Sequence, residues 1–107
     1  MIKVEVLYFQ GCPNHEPAVE RVRGVLAEEG VSAPVLQIEV LDRTSAETLR
    51  FPGSPTVRIN GIDVEGTPAP GAFGLSCRTY LDGSVLQGIP AVEVIRRAVR
   101  NAKESPQ

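Results

Sequence analysis

IKVEVLYFQGCPNHEP, residues 2–17, is the stretch that decides how the rest of the 107-residue chain is interpreted. Its first half begins with alternating apolar residues and becomes apolar on both faces towards Phe9, as expected of a strand that enters the middle of a sheet. A glycine, Gly11, ends this run, and Cys12 follows it directly. The stretch therefore predicts a strand over residues 2–9 with a cysteine just past its carboxyl end.

Two helices and a second strand are predicted after this junction. Apolar residues between Pro17 and Gly30 recur every three or four positions, which predicts a helix that ends at the glycine. Residues 35–41, VLQIEVL, have strand character again, and a strand, helix and strand joined by short links form a right-handed parallel βαβ unit. Thr44 and Glu47 then stand in capping-box spacing, which predicts a short second helix.

The second half of the chain predicts a hairpin and a final helix. TVRINGIDVE, residues 56–65, holds Asn60-Gly61 between two β-prone runs, and both turn residues accept a positive φ. Pro90 suits the first turn of a last helix. The apolar stripe of that helix consists of Ala91, Val94, Ile95, Ala98, Val99 and Ala102.

Length and composition predict one folded domain over residues 1–107. The chain is long enough for a single core, and its 42% apolar and 22% charged residues are ordinary for a globular protein. Residues 65–88 are rich in glycine and proline and show no clear period, so we expect a long connection inserted before the last helix. The tail, residues 103–107, is expected to fray.

Charge and hydropathy disfavour several classes of partner. The net charge of -2 and the pI of about 5.4 provide no general attraction to nucleic acid or to anionic lipid. The chain begins without a signal-peptide core and has no long apolar run, so a cytoplasmic protein without a membrane partner is expected. The basic residues near the end are interpreted as a solvated helix face; they are Arg96, Arg97, Arg100 and Lys103.

The two cysteines are the residues on which a functional hypothesis depends. Without an export signal, Cys12 and Cys77 are expected to be reduced thiols with a catalytic or metal-binding role rather than a structural disulfide. Cys12 is predicted to be the N-cap of the first helix, with Pro13 at the first helical position, where free N–H groups favour a thiolate. The alternatives are an inert buried thiol for Cys12 and a small apolar core residue for Cys77.

His15 stands where a C-x-x-C redox motif would have its second cysteine. It could donate a hydrogen bond to a Cys12 thiolate, act as an acid or base for a leaving thiol, or serve as a ligand beside Cys12. The alternative is a surface histidine in the first turn of the helix. The sequence alone leaves these interpretations open.

The order β-α-β-α-β-β-α, with GCPNH (residues 11–15) before the first helix and GSPT (residues 53–56) before the hairpin, resembles the thioredoxin-like superfamily. The GCP, SPT and SCR segments are similar to those of small bacterial thioredoxin-like proteins, some of which are described as alkylmercury lyases. The resemblance implies a central mixed four-stranded sheet flanked by helices. It also implies a cis peptide between Ser54 and Pro55 and a substrate groove formed by these two residues and Pro13.

Topology suggests how Cys77 could replace the missing cysteine. If Pro55 faces the thiol, the first hairpin strand starts near Cys12 and its partner returns to the same edge, so the following segment with Cys77 starts there too. Arg78 could then support either thiolate electrostatically and contact a substrate.

Three functions fit this arrangement. In a thiol-disulfide oxidoreductase, Cys12 attacks a disulfide and Cys77 resolves the mixed disulfide, with a disulfide protein or a small thiol as partner. In a soft-metal or organomercurial protein, both thiols bind the metal, with His15 as a possible third ligand. The third function is a non-catalytic binding module. No cofactor is indicated, and the sequence leaves the oligomeric state open.

Overall fold

A computed structural model of the chain describes residues 2–66 and 73–104. Four strands form a mixed sheet in the order β2-β1-β3-β4, in which β2 is parallel to β1 while β3 and β4 are antiparallel to their neighbours. The α/β class and the mixed four-stranded sheet are confirmed. The elements are β1 (Val4–Tyr8), α1 (His15–Glu28), β2 (Val35–Glu39), α2 (Arg43–Thr48), β3 (Thr56–Ile59), β4 (Ile62–Asp63), β5 (Tyr80–Asp82), β6 (Val85–Gln87) and α3 (Val92–Glu104).

The sheet separates two apolar clusters because neighbouring residues of β1 point to opposite faces. Val4 and Val6 belong to the larger cluster, which also contains the buried residues of α1 and α3. Leu7 belongs to the smaller cluster, where it lies with Phe51 and the buried Ala46 of α2. The continuous apolar run that predicted a central strand therefore serves cores on both faces, each large side chain contributing about 1.5–3 kcal/mol on full burial.

The first helix begins later than predicted. Its N-cap is Asn14, whose carbonyl accepts a hydrogen bond from the Ala18 N–H at 3.1 Å. Cys12 lies in the preceding turn, where its carbonyl accepts from the His15 N–H at 3.3 Å. The prediction that Cys12 is the N-cap and Pro13 the first helical residue is therefore wrong. The Asn14 side chain makes no cap hydrogen bond, so the backbone alone sets the start of the helix, and one extra turn separates the cysteine from it.

The short helix α2 also begins at a different cap. The Asp42 carboxylate accepts a hydrogen bond from the Ser45 N–H at 2.7 Å, so the predicted capping box of Thr44 and Glu47 is wrong. This hydrogen bond favours the charged carboxylate and holds the pKa of Asp42 below its usual value. The aspartate satisfies a free N–H group of the first turn, as an N-cap residue does.

The structure confirms one hairpin and adds another. Asn60 and Gly61 form the turn between β3 and β4 with φ values of 54° and 80°, the backbone conformation that favours this residue pair. Strands β5 and β6 form a second hairpin inside the predicted connection over residues 65–88. The Gly-Ser pair at residues 83–84, with Gly83 at a φ of 66°, was its signal, and the sequence interpretation missed it. Residues 67–72 of the predicted connection lie outside the described residues.

The last helix keeps its predicted stripe but not its predicted start. Ile95, Val99 and Ala102 are buried against the larger cluster. Pro90 is buried two residues before the helix rather than in its first turn. Lys103 and the residue after it are helical rather than frayed, and residues 105–107 lie outside the described residues.

The cations of α3 are mostly paired. Arg96 contacts Glu28 at 2.6 Å, Arg100 contacts Glu29 at 3.0 Å, and Lys103 contacts the Glu29 carboxylate at 3.6 Å. Arg97, Arg100 and Lys103 are exposed, as expected of a solvated face, and the carboxyl end of α1 lies beside the paired cations. Among the described residues, no helix is both long enough and apolar enough to cross a membrane.

Candidate functional site

Cys12 lies just past the carboxyl end of β1. Its N–H donates to the Phe9 carbonyl at 3.2 Å, which fixes the turn that carries the thiol. Only 8% of the residue surface is exposed, and the thiol is free. The cysteine is therefore held at the carboxyl end of a central strand, with limited access from solvent.

The Ser54–Pro55 segment borders this turn. The Phe9 N–H donates to Ser54 Oγ at 3.4 Å, so the end of β1 is bound on one side to Cys12 and on the other to Ser54. The Ser54–Pro55 peptide is cis, as the resemblance implied. Both residues are buried, and β3 starts immediately after them. Pro13, the third predicted groove residue, is exposed beside Cys12.

Cys77 lies in a segment of residues 74–78, called the strap below, which pairs with Ser54. The Ser54 N–H donates to the Ser76 carbonyl at 2.8 Å, and the Arg78 N–H donates to the Ser54 carbonyl at 3.0 Å. These bonds form an isolated parallel bridge in which Cys77 is the direct partner of Ser54. The segment with the second cysteine thus returns to the edge of Ser54 and Pro55, as the topology predicted. Cys77 is exposed, and its thiol is free.

Gly53 allows the strap to approach this closely. Its φ is +146°, a conformation that L side chains rarely adopt. A Cβ atom on Gly53 would lie 3.0 Å from the Ser76 carbonyl oxygen and 3.0 Å from the Arg78 Cβ. A side chain at residue 53 would therefore push the strap away from Ser54.

Arg78 fastens the strap from its far end. Its guanidinium contacts both oxygens of the Asp63 carboxylate, at 2.6 and 3.3 Å, and donates to Thr56 Oγ1 at 3.2 Å. It also lies 4.8 Å from the centre of the Tyr80 ring. Asp63 and Arg78 side chains are 3% and 15% exposed. The expectation that Arg78 supports a thiolate is corrected, because its charge is committed to a largely buried carboxylate.

Tyr80 adds a second attachment to the cis-proline segment. Its hydroxyl donates a hydrogen bond to the Pro55 carbonyl. Burial raises the pKa of Tyr80, so the hydroxyl keeps its proton and remains a donor. The strap and the strand that follows it are therefore joined to residues 54 and 55 by backbone and side chain.

His15 contacts residues of β1 and β2. Its ring stacks on Tyr8, with ring centres 3.5 Å apart, and its Nε2 forms a hydrogen bond of 2.7 Å with Gln37 Oε1. Within the described part of the chain, the imidazole makes no hydrogen bond with Cys12. These contacts attach the start of α1 to β1 and β2. His15 therefore holds the helix in place beside residues 9–12, the turn that carries Cys12 and is called the thiol turn below.

Asn14 and Gly88 form a contact that the sequence did not reveal. A Cβ atom on Gly88 would lie 2.6 Å from Asn14 Cγ, so the carboxamide occupies the space that a side chain at 88 would need. Asn14 is two residues from Cys12, and Gly88 directly follows β6. The second hairpin is therefore seated against the thiol turn. Residues so distant in the chain carry no shared pattern that could have predicted this contact.

The described residues offer little to a multidentate metal site. In residues 2–66 and 73–104, no three histidine, cysteine, aspartate or glutamate side chains cluster so that they could hold a metal ion. The Nε2 of His15, the predicted third ligand, is bonded to Gln37. No family model matches the chain, and neither the curated proteins nor the solved structures contain a match.

Proposed function

We propose that the protein is a thioredoxin-like thiol-disulfide oxidoreductase in which Cys12 is the nucleophile and Cys77 the resolving thiol. The observation that carries this proposal is the bridge between Cys77 and Ser54, together with the hydrogen bond from the Phe9 N–H to Ser54 Oγ. Cys77 thus pairs directly with Ser54, and Cys12 is connected to Ser54 through Phe9. The order of elements and the sheet order β2-β1-β3-β4 agree with what the resemblance implies.

The two thiols differ in ways that suit these roles. Cys12 is largely buried in a fixed turn that precedes the 14-residue helix α1. Cys77 is exposed on the strap. A resolving thiol needs access to a mixed disulfide formed on the first cysteine, and the exposed position supplies it.

The reaction is ordinary thiol-disulfide exchange. The Cys12 thiolate attacks one sulfur of a disulfide, forms a mixed disulfide and releases the first substrate thiolate. The Cys77 thiolate then attacks the Cys12 sulfur and releases the second. The substrate gains two electrons and the protein becomes the Cys12–Cys77 disulfide. Two equivalents of an external thiol return it to the dithiol form.

The test is to oxidise the protein mildly and measure its intact mass, followed by peptide mapping. We expect the loss of two hydrogen atoms and a peptide containing Cys12 crosslinked to Cys77. Cys12→Ser should abolish disulfide reduction, whereas Cys77→Ser should accumulate the mixed disulfide on Cys12. Full activity of the Cys12→Ser variant would refute the assignment. Oxidation without an intramolecular crosslink would favour monothiol chemistry or a binding module.

Soft-metal binding is the second candidate, because the same pairing gives two thiols at one edge without a third ligand. Sulfur ligands select soft ions such as Hg(II) and Cu(I), and organomercurials bind thiolates for the same reason. Calorimetric titration with Hg(II) should give tight binding to the parent protein and much weaker binding to a Cys12→Ser, Cys77→Ser double variant. Equal affinity in both proteins would remove this candidate.

A further inference from the structure

The backbone hydrogen-bonding groups of Ser54, beside the thiol turn, are already bonded to the strap. An extended polypeptide commonly docks by adding a strand to an exposed backbone edge, where it needs free N–H and C=O groups. At Ser54, the residue that contacts the end of β1, the N–H is bonded to Ser76 and the C=O to Arg78. The strap therefore uses the hydrogen bonds that an incoming chain would need.

Displacing the strap would break more than these two bonds. The Gly74 N–H donates to the Phe51 carbonyl at 3.1 Å, so the strap is bonded at its beginning as well. Pulling Arg78 away would leave Asp63, whose side chain is 3% exposed, without its counter-charge. Gly53 has no side chain, so the strap lies directly on the backbone rather than over a gap.

Access to the nucleophile is also narrow. Cys12 exposes 8% of its surface, whereas the neighbouring Pro13 and the strap residue Cys77 are exposed. A small disulfide can present a sulfur atom through such an opening without pairing its own backbone. A polypeptide would have to bring its flanking residues across the strap.

From these contacts we infer that the substrates are low-molecular-weight disulfides and that extended polypeptide disulfides are excluded by the strap. This inference rests on the proposed function and narrows its substrate class. The chemistry is unchanged. Cys12 forms a mixed disulfide with one half of the small disulfide and releases the other half as a thiolate. Cys77 then releases the bound half, and a small thiol reduces the protein again.

The test compares two substrates with the same reacting group. One is the disulfide of N-acetylcysteine amide, and the other is the disulfide dimer of an unstructured peptide of about seven residues with one central cysteine, long enough to form a strand. We expect kcat/KM to be roughly tenfold or more higher for the small disulfide, the factor that corresponds to giving up one or two backbone hydrogen bonds. Equal values, or a preference for the peptide, would overturn the inference.

A second measurement tests the strap directly. The Cys77→Ser variant should trap the mixed disulfide of Cys12 with either substrate, and amide hydrogen exchange then reports the Ser54 and Arg78 N–H groups. We expect both amides to stay protected in the complex with the small thiol. Protection of Ser54 combined with rapid exchange of Arg78 in the peptide complex would show that the peptide has replaced the strap, and would overturn the inference.

The Cys12→Ser variant distinguishes a failure of the proposed oxidoreductase function from a failure of the proposed substrate class. If it turns over both substrates as well as the parent protein, or if the parent turns over neither, the proposed function fails and the inference fails with it. If turnover depends on Cys12 but favours the peptide, the oxidoreductase assignment stands and only the substrate class is wrong.

Discussion

Two groups of ion pairs, one under the strap and one between α1 and α3, use the same chemistry in different surroundings. Arg78 and Asp63 form a pair that is largely buried and shares hydrogen bonds with Thr56. Glu29, whose own side chain is 9% exposed, instead meets cations that reach the solvent, since the Arg100 and Lys103 side chains are 59% and 42% exposed. The first pair holds the strap that carries Cys77, and the second group joins two helices.

The difference shows which of the two groups of ion pairs costs more stability when a charge is removed. Charges in contact with water are solvated whether or not they pair, so each exposed pair contributes little. A buried carboxylate that loses its partner keeps its charge without its solvation, and the folded state becomes much less stable. The strap is therefore the more vulnerable of the two regions, although it contains fewer charges.

The largest effect is expected for Arg78→Ala. The substitution leaves the Asp63 carboxylate buried and unpaired, so the free energy of unfolding should fall by about 3 kcal/mol. Urea denaturation of the parent and the variant measures the loss. Arg97→Ala, which removes an exposed arginine from α3, is the matched control. Similar losses for the two variants would contradict the distinction between the regions.

Gly88→Ala should disturb the thiol turn from the opposite side. The new Cβ would overlap with the Asn14 carboxamide, and such overpacking costs about 1–3 kcal/mol. Displacement of Asn14 should expose Cys12, so alkylation of this thiol should be faster in a Cys77→Ser background. Gly74→Ala is the control, because a Cβ there meets no atom within 4 Å and its φ is not in the left-handed region. Unchanged alkylation in the Gly88 variant would show that the hairpin does not position the turn.

Tyr80→Phe isolates one attachment of the strap region. It removes the hydrogen bond to the Pro55 carbonyl and should lower the free energy of unfolding by about 1 kcal/mol. Tyr8→Phe is a suitable comparison, because among the described residues the Tyr8 hydroxyl makes no hydrogen bond while the ring stacks on His15. Denaturation curves of the two variants should therefore differ. Coincident curves would mean that the Tyr80 hydroxyl adds nothing to stability.

The smallest effect belongs to Glu29→Gln and depends on pH. The hydrogen bond and charge of Arg100, with Lys103, hold the pKa of Glu29 below its usual value. A depressed acid pKa contributes stability that is present above the unfolded value, about 4.3, and is lost as the pH falls through the folded value. The variant should thus be slightly less stable than the parent at pH 7, and the difference should shrink as the pH falls from about 4.3 through the lower folded pKa. A difference between the two thermal unfolding curves that stays constant from pH 7 to pH 3 would contradict this linkage.

Much of the fold follows from patterns within short stretches. The apolar run of β1, the helical spacing before Gly30 and the Asn60-Gly61 turn are each sufficient for one element, and their order yields the sheet. The predicted starts of α1 and α2 were wrong because neighbouring residues in the sequence compete for the N-cap position. Asn14 and Asp42 are better placed than Cys12 and Thr44, and only the backbone geometry decides between them.

The sequence predicted the two cysteines of the site but not the side-chain contacts that hold the surrounding segments in place. Cys12 was a candidate because it lies between the first strand and the first helix. The directions of the hairpin strands predicted that the segment with Cys77 returns to Ser54 and Pro55. The partners of Arg78 and His15, by contrast, depend on where side chains from distant segments meet. Asp63 and Gln37 are ordinary polar residues in the sequence, and only the folded arrangement gives them a role.

The hairpin of β5 and β6 has a consequence for how the protein behaves in concentrated solution. Leu81, Val85 and Leu86 are 61%, 56% and 65% exposed, so a small hairpin presents three large aliphatic side chains to water. The net charge of -2 provides little repulsion between molecules, and less still near the pI of about 5.4. Attraction between these side chains will therefore limit colloidal stability, and buffers well above that pH will keep the molecules apart.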